Sequence, residues 1–332
     1  MGVGEQLNRA LEAIASESTV PDVTLVVPGL NEADSLPLLA AQVKEALAPD
    51  KSYELIFVDD GSTDDSWQVI CGLNEADPAV RGVRLRKNFG KAMALSAGFE
   101  RARADIVVMM DADLQDDPAD LPKMLAGLEA GLDVVVGWKV ERLDPANRKI
   151  FSRIFNGTVA HVTGVRLHDM NCGFKAYRSE VLQSIPIYGD LFRFIPVLAS
   201  WQGFRVGEIP INHRSRQFGS SRYGLERILR GFFDLLSVSF LTKYSRKPMH
   251  LFGLLGLMFS FFGTLICGYL SVLWFQGEPI GARPLLLLGV LLILVGVQSF
   301  SIGLLGEFMT FQYHRKHEQE HLPIREVVGD PR

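Results

Sequence analysis

The sequence has 332 residues, of which 48% are hydrophobic and 22% are charged, and its formal net charge at pH 7 is −4. This length accommodates one large domain or two smaller ones, and the negative balance excludes the global positive field that draws nucleic acid. The mean hydropathy of +0.15 is high for a wholly soluble protein, because apolar residues are concentrated after His250. We therefore expect a soluble domain followed by membrane segments.

Cysteine content and the first residues bear on the compartment. The three cysteines are far apart and form no C-x-x-C pair, which argues against a disulfide framework or a zinc knuckle and favours a reducing compartment. Residues 1–19 contain three glutamates and lack the apolar run of a secretory signal. We expect the soluble domain to stay on the cytoplasmic side of a membrane, which in a bacterium is the inner membrane.

From Val20 to about Val136, short β-branched runs alternate with amphipathic segments. Strands are predicted over residues 23–27, 55–58, 83–85, 106–110 and 132–136. Helices are predicted over residues 36–47, from Ser62, where Ser62-Thr63-Asp64-Asp65 resembles a capping box, and after Pro118. This alternation predicts an α/β domain, Rossmann-like, with a mostly parallel sheet covered on both faces.

Polar clusters follow three of the predicted strands. They are Asn31-Glu32, Asp59-Asp60 and Asp111-Ala112-Asp113. Ligands of open α/β sheets bind beyond the carboxyl ends of the strands, and a purely structural domain needs no repeated acidic cluster along that edge. The pattern therefore predicts a binding site there.

The D-x-D pair is typical of a divalent-cation site. A nucleotide-diphosphate sugar carries negative charge that increases on the leaving group as the sugar–phosphate bond breaks, and a cation between carboxylate and diphosphate stabilises it. Mg²⁺ and Mn²⁺ prefer such oxygen ligands, so Asp111 and Asp113 are the predicted metal ligands, with Gln115 nearby. The alternative is that one of these carboxylates caps a helix.

Two further segments are candidates for donor binding. Asp60 could accept hydrogen bonds from a base or a ribose hydroxyl, or it could only cap the following helix. Arg86 and Lys91 lie in a basic loop after the third predicted strand. They could contact the donor diphosphate, and a solvated basic turn is the alternative.

Four motifs occur in a fixed order: residues 28–32 (PGLNE), 59–64 (DDGSTD), 86–91 (RKNFGK) and 111–116 (DADLQD). Together they resemble family-2 glycosyltransferases of the dolichyl-phosphate mannose synthase and bacterial polyprenyl-phosphate glucosyltransferase type, over about residues 23–305. The resemblance implies a GT-A fold, Mg²⁺ or Mn²⁺ as cofactor, and inversion at the anomeric carbon. It also implies nucleotide contacts and a D-x-D-x-Q metal motif. The residues concerned are Pro28, Asn31, Glu32 and Asp60 for the nucleotide, and Asp111, Asp113 and Gln115 for the metal.

Basic residues further along the chain are candidates for binding phosphate. The segment from His213 to Tyr223 resembles the family's H-R-x-R-x-x-G-x-S-K-Y motif, with Arg222 in place of lysine, which keeps the charge but changes the donor geometry. We expect donor and acceptor phosphates to be shared among Arg153, Arg214, Arg216, Ser221 and Arg222. Attraction to membrane headgroups is the alternative for about half of the arginines.

Asp169 precedes a Gly-Phe turn, at the place where relatives have an aspartate. The resemblance makes Asp169, with Asp113, a candidate catalytic residue, either as a base or as a carboxylate that orients the acceptor. The alternative is a buried aspartate that braces the turn.

The rest of the chain is predicted to be a membrane anchor. The predicted organisation is an N-terminal extension (1–20), a catalytic domain (21–225), an interfacial amphipathic helix (226–247), two transmembrane helices (about 250–275 and 284–305) and a tail (311–332). Lysines and arginines flank the pair of helices, whereas the short loop between them has one arginine and one glutamate. This distribution predicts that both termini are cytoplasmic. Self-association of the two-helix anchor is left open.

The expected activity is transfer of a hexose from a UDP-glucose or GDP-mannose type donor to polyprenyl phosphate, of the undecaprenyl or dolichyl kind. A processive polysaccharide synthase usually has a Q-x-x-R-W motif and more spans, and the sequence has no Arg-Trp pair. A sugar nucleotidyltransferase would have a glycine-rich phosphate loop after the first strand, where PGLNE stands. A non-catalytic, degenerate transferase scaffold is disfavoured by the intact acidic set.

Overall fold

The computed structural model describes residues 20–47, 50–140, 156–157, 159–160, 163–185, 189–214, 248–281, 283–313 and 323–329. They belong to two compact units: residues up to 214 together with 323–329, and residues 248–313. The predicted N-terminal extension, apart from Val20, and the predicted interfacial helix over residues 226–247 lie outside the described residues.

The first unit alternates strands and helices as the sequence predicts. Its strands are β1 (Val23–Gly29), β2 (Tyr53–Asp59), β3 (Val80–Leu85), β4 (Ile106–Met109), β5 (Val134–Lys139), β6 (Lys175–Arg178), β7 (Val206–Ile211) and β8 (Ile324–Val328). Its α-helices are α1 (Leu36–Leu47), α2 (Ser66–Ala76), α3 (Lys91–Phe99), α4 (Leu121–Glu129), α5 (Ser179–Ser184) and α6 (Ile195–Gln202). Short 3₁₀ turns, Pro118–Asp120 and Gly189–Phe194, precede α4 and α6.

In the described part of the chain, one sheet of eight strands has the order β7-β5-β6-β4-β1-β2-β3-β8. Strand β1 pairs in parallel with β2 and β4, β2 with β3, and β5 with β7. Strands β6 and β8 are antiparallel to their neighbours. The predicted mostly parallel sheet is confirmed, and its carboxyl edge gathers the loops that follow β1, β2, β3 and β4.

Two boundaries differ from the prediction. Helix α2 begins at Ser66 and not at Ser62, because the hydroxyl of Ser62 accepts a hydrogen bond from the backbone N–H of Asn31 (2.9 Å) instead of capping the helix. Strand β3 begins at Val80, three residues before the predicted start. The charged residue Arg81 hides this part of the strand in the sequence, yet it is buried.

A buried charged network lies at the amino end of the sheet, away from the loops. The Glu54 carboxylate is 1% exposed and contacts the guanidinium of Arg81, the Nε of Arg103 (2.7 Å) and the hydroxyl of Thr24 (2.8 Å). The network joins β1, β2, β3 and the segment before β4. It stabilises the end of the sheet opposite the candidate site.

The second unit contains two long helices, α7 (Pro248–Phe275) and α8 (Pro284–Tyr313). Within them, Phe252–Phe275 and Pro284–Gly306 are long and apolar enough to cross a membrane, in agreement with the two predicted segments. The helices approach closely at glycines: a Cβ on Gly256 would lie 2.7 Å from the carbonyl oxygen of Gly296, and one on Gly263 would lie 2.7 Å from that of Gly289. Small residues allow this approach between apolar helices.

Candidate active site

The loops after β1 and β2 are hydrogen-bonded to each other. In the first loop (residues 30–35), Asn31 has a φ of 59°, a conformation that asparagine tolerates better than most residues. Its side-chain oxygen accepts from the N–H of Thr63 (2.9 Å) in the second loop (residues 60–65). The N–H of Glu32 donates to the hydroxyl of Ser66 (3.0 Å). Asn31 and Glu32 thus stand at the predicted edge, with the Asn31 amide oxygen already bonded within the protein.

Asp60 connects the second loop to the third (residues 86–90). Its two carboxylate oxygens accept from the N–H groups of Phe89 (2.8 Å) and Gly90 (3.0 Å). Burial raises the pKa of Asp60, and these two hydrogen bonds oppose the rise. Gly61 has a φ of +73°, and a Cβ there would collide with the backbone of Lys87, so the two loops pack backbone to backbone. Base or ribose binding by Asp60 stays a prediction.

The loop after β4 (residues 110–117, the acidic loop) holds the D-x-D-x-Q motif. The carboxylate of Asp113 is buried and accepts from the N–H of Gln115 (3.2 Å). Between them Leu114 has a φ of 59°, a left-handed conformation that is costly for a branched residue and is concentrated at functional sites. The following helical turn is capped by Asp117, which accepts from the N–H of Ala119 (3.0 Å). Asp111 and Asp113 are therefore not the caps of that turn.

Lys91, at the start of α3, contacts the carboxylate of Asp111 with its ammonium group. Burial works to raise the pKa of Asp111, but the charge and hydrogen bond of Lys91, together with the charges of Lys139 and Lys175, hold this pKa below its ordinary value. Asp111 is therefore a carboxylate at neutral pH. The predicted basic residue Lys91 lies beside the predicted metal ligand, where the diphosphate of a donor would add negative charge.

The predicted metal ligands fit a cation that the donor helps to hold. No group of three or more His, Cys, Asp or Glu side chains suited to a metal occurs among the described residues. Mg²⁺ is usually bound by one or two carboxylates together with substrate phosphates and water, which is the set that Asp111, Asp113 and a diphosphate would supply. Gln115 adds an amide oxygen at the same loop.

The loop around Asp169 packs against the acidic loop. Asp169 is 2% exposed, and its carbonyl accepts from the N–H of Cys172 (3.2 Å), which closes the predicted tight turn. A Cβ on Gly173 would lie 2.5 Å from Oδ2 of Asp111. Glycine at this position lets the turn approach the first carboxylate of the D-x-D pair. The catalytic role of Asp169 stays a prediction.

A buried lysine at this site was missed by the sequence analysis. Lys175, the first residue of β6, is 1% exposed, and burial lowers its pKa to about 8. The charge of Asp169 opposes this shift, and the charge of Lys175 lowers the pKa of Asp111. The lysine is thus close to both loops. The one feature of the sequence that could have indicated this residue is its position directly after the Gly-Phe turn.

The predicted phosphate-binding residues are only partly described. The N–H of Arg214 donates to the carbonyl of Gln115 (2.9 Å), and its guanidinium contacts Asp117 (2.7 Å) and Gln42 (2.9 Å). This part of the basic segment therefore lies against the acidic loop, with the guanidinium engaged by protein groups. The predicted residues Arg153, Arg216, Ser221 and Arg222 lie outside the described residues.

Arg86 is engaged by the C-terminal strand. Its backbone N–H donates to the carbonyl of Pro323 (3.1 Å), and its Nε donates to the carbonyl of Ile324 (3.3 Å). Pro28 lies within β1, opposite Val58 of β2. Contacts of Arg86 and Pro28 with the donor stay predictions.

Comparison with known proteins agrees with this geometry. The model of the family described as Glycosyl transferase family 2 matches residues 24–185. A dodecaprenyl-phosphate galacturonate synthase of Rhizobium johnstonii is 38% identical over 316 residues, which cover 93% of this chain and 94% of that protein. An undecaprenyl-phosphate 4-deoxy-4-formamido-L-arabinose transferase of Yersinia enterocolitica is 32% identical over 320 residues, covering 95% of this chain and 96% of that protein.

Solved structures share the fold of the first unit. Glucosyl-3-phosphoglycerate synthase from Mycobacterium tuberculosis, in complex with phosphoglyceric acid, has a TM-score of 0.51 at 20% identity and covers 69% of this chain and 81% of that chain. The same enzyme in complex with Mn²⁺ and UDP-glucose has a TM-score of 0.50 at 20% identity, covering 70% and 82%. At this identity the likeness shows the fold alone, a GT-A-like α/β fold.

Proposed function

Because the chain belongs to glycosyltransferase family 2, we propose that it transfers a sugar from a nucleotide-diphosphate donor to a polyprenyl phosphate. The observation that carries the proposal is the acidic loop, with Asp111 and Asp113 at the carboxyl edge of the sheet and Lys91 beside them. Two relatives named as polyprenyl-phosphate sugar transferases match nearly the whole chain, the two apolar helices included. The donor is expected to be a hexose carrier of the UDP-glucose or GDP-mannose type.

The reaction is a displacement at the anomeric carbon with inversion. An oxygen of the lipid phosphate forms a bond to that carbon, the bond to the donor diphosphate breaks, and nucleoside diphosphate leaves. Mg²⁺ or Mn²⁺ on Asp111, Asp113 and the diphosphate would stabilise the charge of the leaving group. The Mn²⁺ and UDP-glucose complex of the fold relative supports this choice of cofactor.

The acceptor requires positioning more than deprotonation. A phosphate monoester has a second pKa of about 6 and is already an anion at neutral pH. Arg214, with the predicted Arg153, Arg216 and Arg222, would neutralise and orient it, and Asp169 would orient the attacking oxygen or take up its remaining proton. Catalysis then rests on proximity and on charge stabilisation.

The site is proposed to work at the cytoplasmic face of a membrane. The chain passes from the first unit through α7 and α8 and then returns to the same sheet as β8. The pairing of β8 with β3 supports an arrangement in which the first unit and β8 lie on the same side of a membrane that the helices cross. The basic residues that flank the helix pair favour the cytoplasmic side, and a membrane anchor raises the local concentration of a lipid acceptor.

The test is transfer of radiolabel from a panel of UDP- and GDP-sugars to undecaprenyl phosphate by detergent-solubilised protein, with and without EDTA. We expect labelling of the lipid from one donor, abolished by EDTA and by Asp113→Ala. The matched control is Asp50→Ala, because Asp50 is exposed and lies in the connection between α1 and β2, at the end of the sheet opposite the loops. EDTA-resistant transfer, or a near-normal rate in Asp113→Ala, would show that the metal assignment is wrong.

Two outcomes would favour other functions. Labelled polymer without labelled lipid would point to a polysaccharide synthase. Folded protein that binds no donor nucleotide and transfers no label from any donor would point to a non-catalytic scaffold.

A further inference from the structure

The C-terminal strand β8 covers the edge of the sheet at β3. Its register places Glu326 opposite Arg84 and Val327 opposite Val83. A Cβ on Gly82 of β3 would lie 2.8 Å from the side chain of Val328. The side chain of Val328 therefore packs closely against β3, on the face of the sheet that α2 also covers. The side chain of Glu326 is directed to this same face, because alternate residues of a strand share a face.

Glu326 contacts Trp67 and Arg84 on this face, in addition to an ion pair with its neighbour Arg325 (3.2 Å). Its Oε2 accepts a hydrogen bond from the indole N–H of Trp67 in α2 (2.9 Å), and its Oε1 lies 3.7 Å from the guanidinium of Arg84. The guanidinium carbon of Arg84 also lies 5.8 Å from the centre of the Trp67 ring. Arg84 thus lies between the ring of Trp67 and the Glu326 carboxylate of the C-terminal strand.

The opposite side of Arg84 faces the start of the second loop. Its Nε lies 3.3 Å from Oδ2 of Asp59, whose side chain is 0% exposed. That oxygen makes no hydrogen bond of good geometry with the described residues, so Arg84 is the cation that offsets its charge. The other oxygen of Asp59 accepts from the N–H of Ser62 (2.7 Å), and the Ser62 hydroxyl accepts from the N–H of Asn31.

We propose that Glu326 is a positioning residue for the donor site, acting through Arg84 on Asp59 and thereby on the first two loops. The inference rests on the proposed function, since those loops are the ones expected to bind the nucleotide. Without Glu326, the guanidinium of Arg84 keeps its contact with Asp59 but is no longer held by a carboxylate on its other side. A fully buried carboxylate whose cation is free to shift would lose its fixed orientation. The second loop would then be less ordered, and nucleotide binding would include the cost of ordering it.

Glu326→Gln separates the hydrogen bond with Trp67 from the ion pairs of this residue with Arg84 and Arg325. The amide oxygen can still accept from the Trp67 indole, whereas the charge that faces Arg84 is lost. Glu326→Ala removes the hydrogen bond and the ion pairs together. Val327→Thr is the matched control, because Val327 is an exposed neighbour on the opposite face of the same strand.

The experiment uses the full chain in detergent and measures the Kd of UDP and of GDP in the presence of Mg²⁺, the KM and kcat for the donor, and hydrogen exchange of residues 60–65. We expect both Glu326 variants to weaken binding of the preferred nucleotide and raise the donor KM by about threefold to tenfold, which corresponds to about 0.6–1.4 kcal/mol, the range for loss of one ordinary hydrogen bond or exposed ion pair. The kcat should stay within about twofold, exchange in residues 60–65 should accelerate, and Val327→Thr should match the wild type.

A double-mutant cycle with Arg84→Ala completes the test. The effects of Glu326→Ala and Arg84→Ala on the nucleotide Kd should be less than additive, because both break the same path. Additive effects, or Glu326 variants with wild-type Kd and wild-type exchange in residues 60–65, would overturn the proposal. If the wild type bound neither nucleotide, the proposed function would fail, while the exchange comparison would still decide the role of Glu326.

Discussion

Gly173→Ala tests the contact between the turn after Asp169 and the acidic loop. The added Cβ would lie 2.5 Å from Oδ2 and 2.7 Å from Cγ of Asp111. Non-bonded heavy atoms normally approach to about 3.5 Å, so the carboxylate must move by about 1 Å. Because the displaced atoms are the end of a side chain, the move costs only about 1 kcal/mol of off-rotamer strain. The fold should therefore survive while the first carboxylate of the D-x-D pair is misplaced.

The consequence for activity is larger than the consequence for stability. A misplacement of about 1 Å at a catalytic constellation can reduce the rate by about 100-fold, which corresponds to about 2.7 kcal/mol of lost transition-state stabilisation. The assay is the initial rate of sugar transfer to polyprenyl phosphate across a titration of Mg²⁺ or Mn²⁺, with thermal unfolding measured on the same preparations. We expect a lower rate and a higher metal requirement, at nearly unchanged Tm.

The control for this substitution is Gly72→Ala. Gly72 lies in α2, and a Cβ there would meet no heavy atom within 4 Å in the described part of the chain. This variant should keep wild-type activity. Normal rate and normal metal requirement in Gly173→Ala would refute the argument that Asp111 needs its present position, and a large drop in Tm would refute the argument that only a side chain moves.

Two further predictions concern stability. Glu54→Ala removes the carboxylate that offsets the buried charge of Arg81, so we expect a loss of about 3–5 kcal/mol, or roughly 6–20 °C in Tm for a domain of this size. Glu129→Ala, which breaks only an exposed pair with Lys51, should change Tm by less than about 4 °C, and equal shifts for the two variants would contradict the reasoning. For Asp133, a hydrogen bond and an ion pair with Arg205 hold its pKa below the ordinary value, so its stabilisation is present at neutral pH and is lost as the pH falls through the folded-state pKa. The difference in unfolding free energy between wild type and Asp133→Asn should therefore shrink below about pH 4, and a difference that grows on acidification would contradict the assignment.

Local patterns in the sequence were sufficient for the general architecture. The β-branched runs predicted the parallel strands. The acidic pairs that follow them predicted the edge at which Asp60, Asp111 and Asp113 lie, because the carboxyl ends of parallel strands meet at one edge of a sheet. Two uninterrupted apolar segments predicted α7 and α8. In each case the signal lies within a few residues of the feature that it predicts.

Features that depend on distant partners were not predictable in this way. Strand β8 is a five-residue segment, Ile-Arg-Glu-Val-Val, that becomes a strand because it pairs with β3. The burial of Lys175 depends on its position between β4 and β5. Asp60, Arg86 and Arg214 have the residue types that bind ligands. In the structure Asp60 is already bonded to backbone N–H groups, Arg86 to a carbonyl and Arg214 to Asp117. No local pattern in the sequence indicates these contacts.

The long connection between β3 and β8 also bears on how the protein is made. Arg86 and Ile324, which are hydrogen-bonded, are 238 positions apart in the chain. While the ribosome is still producing the two apolar helices, β3 is the outer strand of an unfinished sheet and offers unpaired backbone groups to any extended chain nearby. The catalytic unit therefore completes its sheet only after the helices have been synthesised. Interrupted insertion of those helices would leave nascent chains with an uncovered strand, which are substrates for chaperones and proteases.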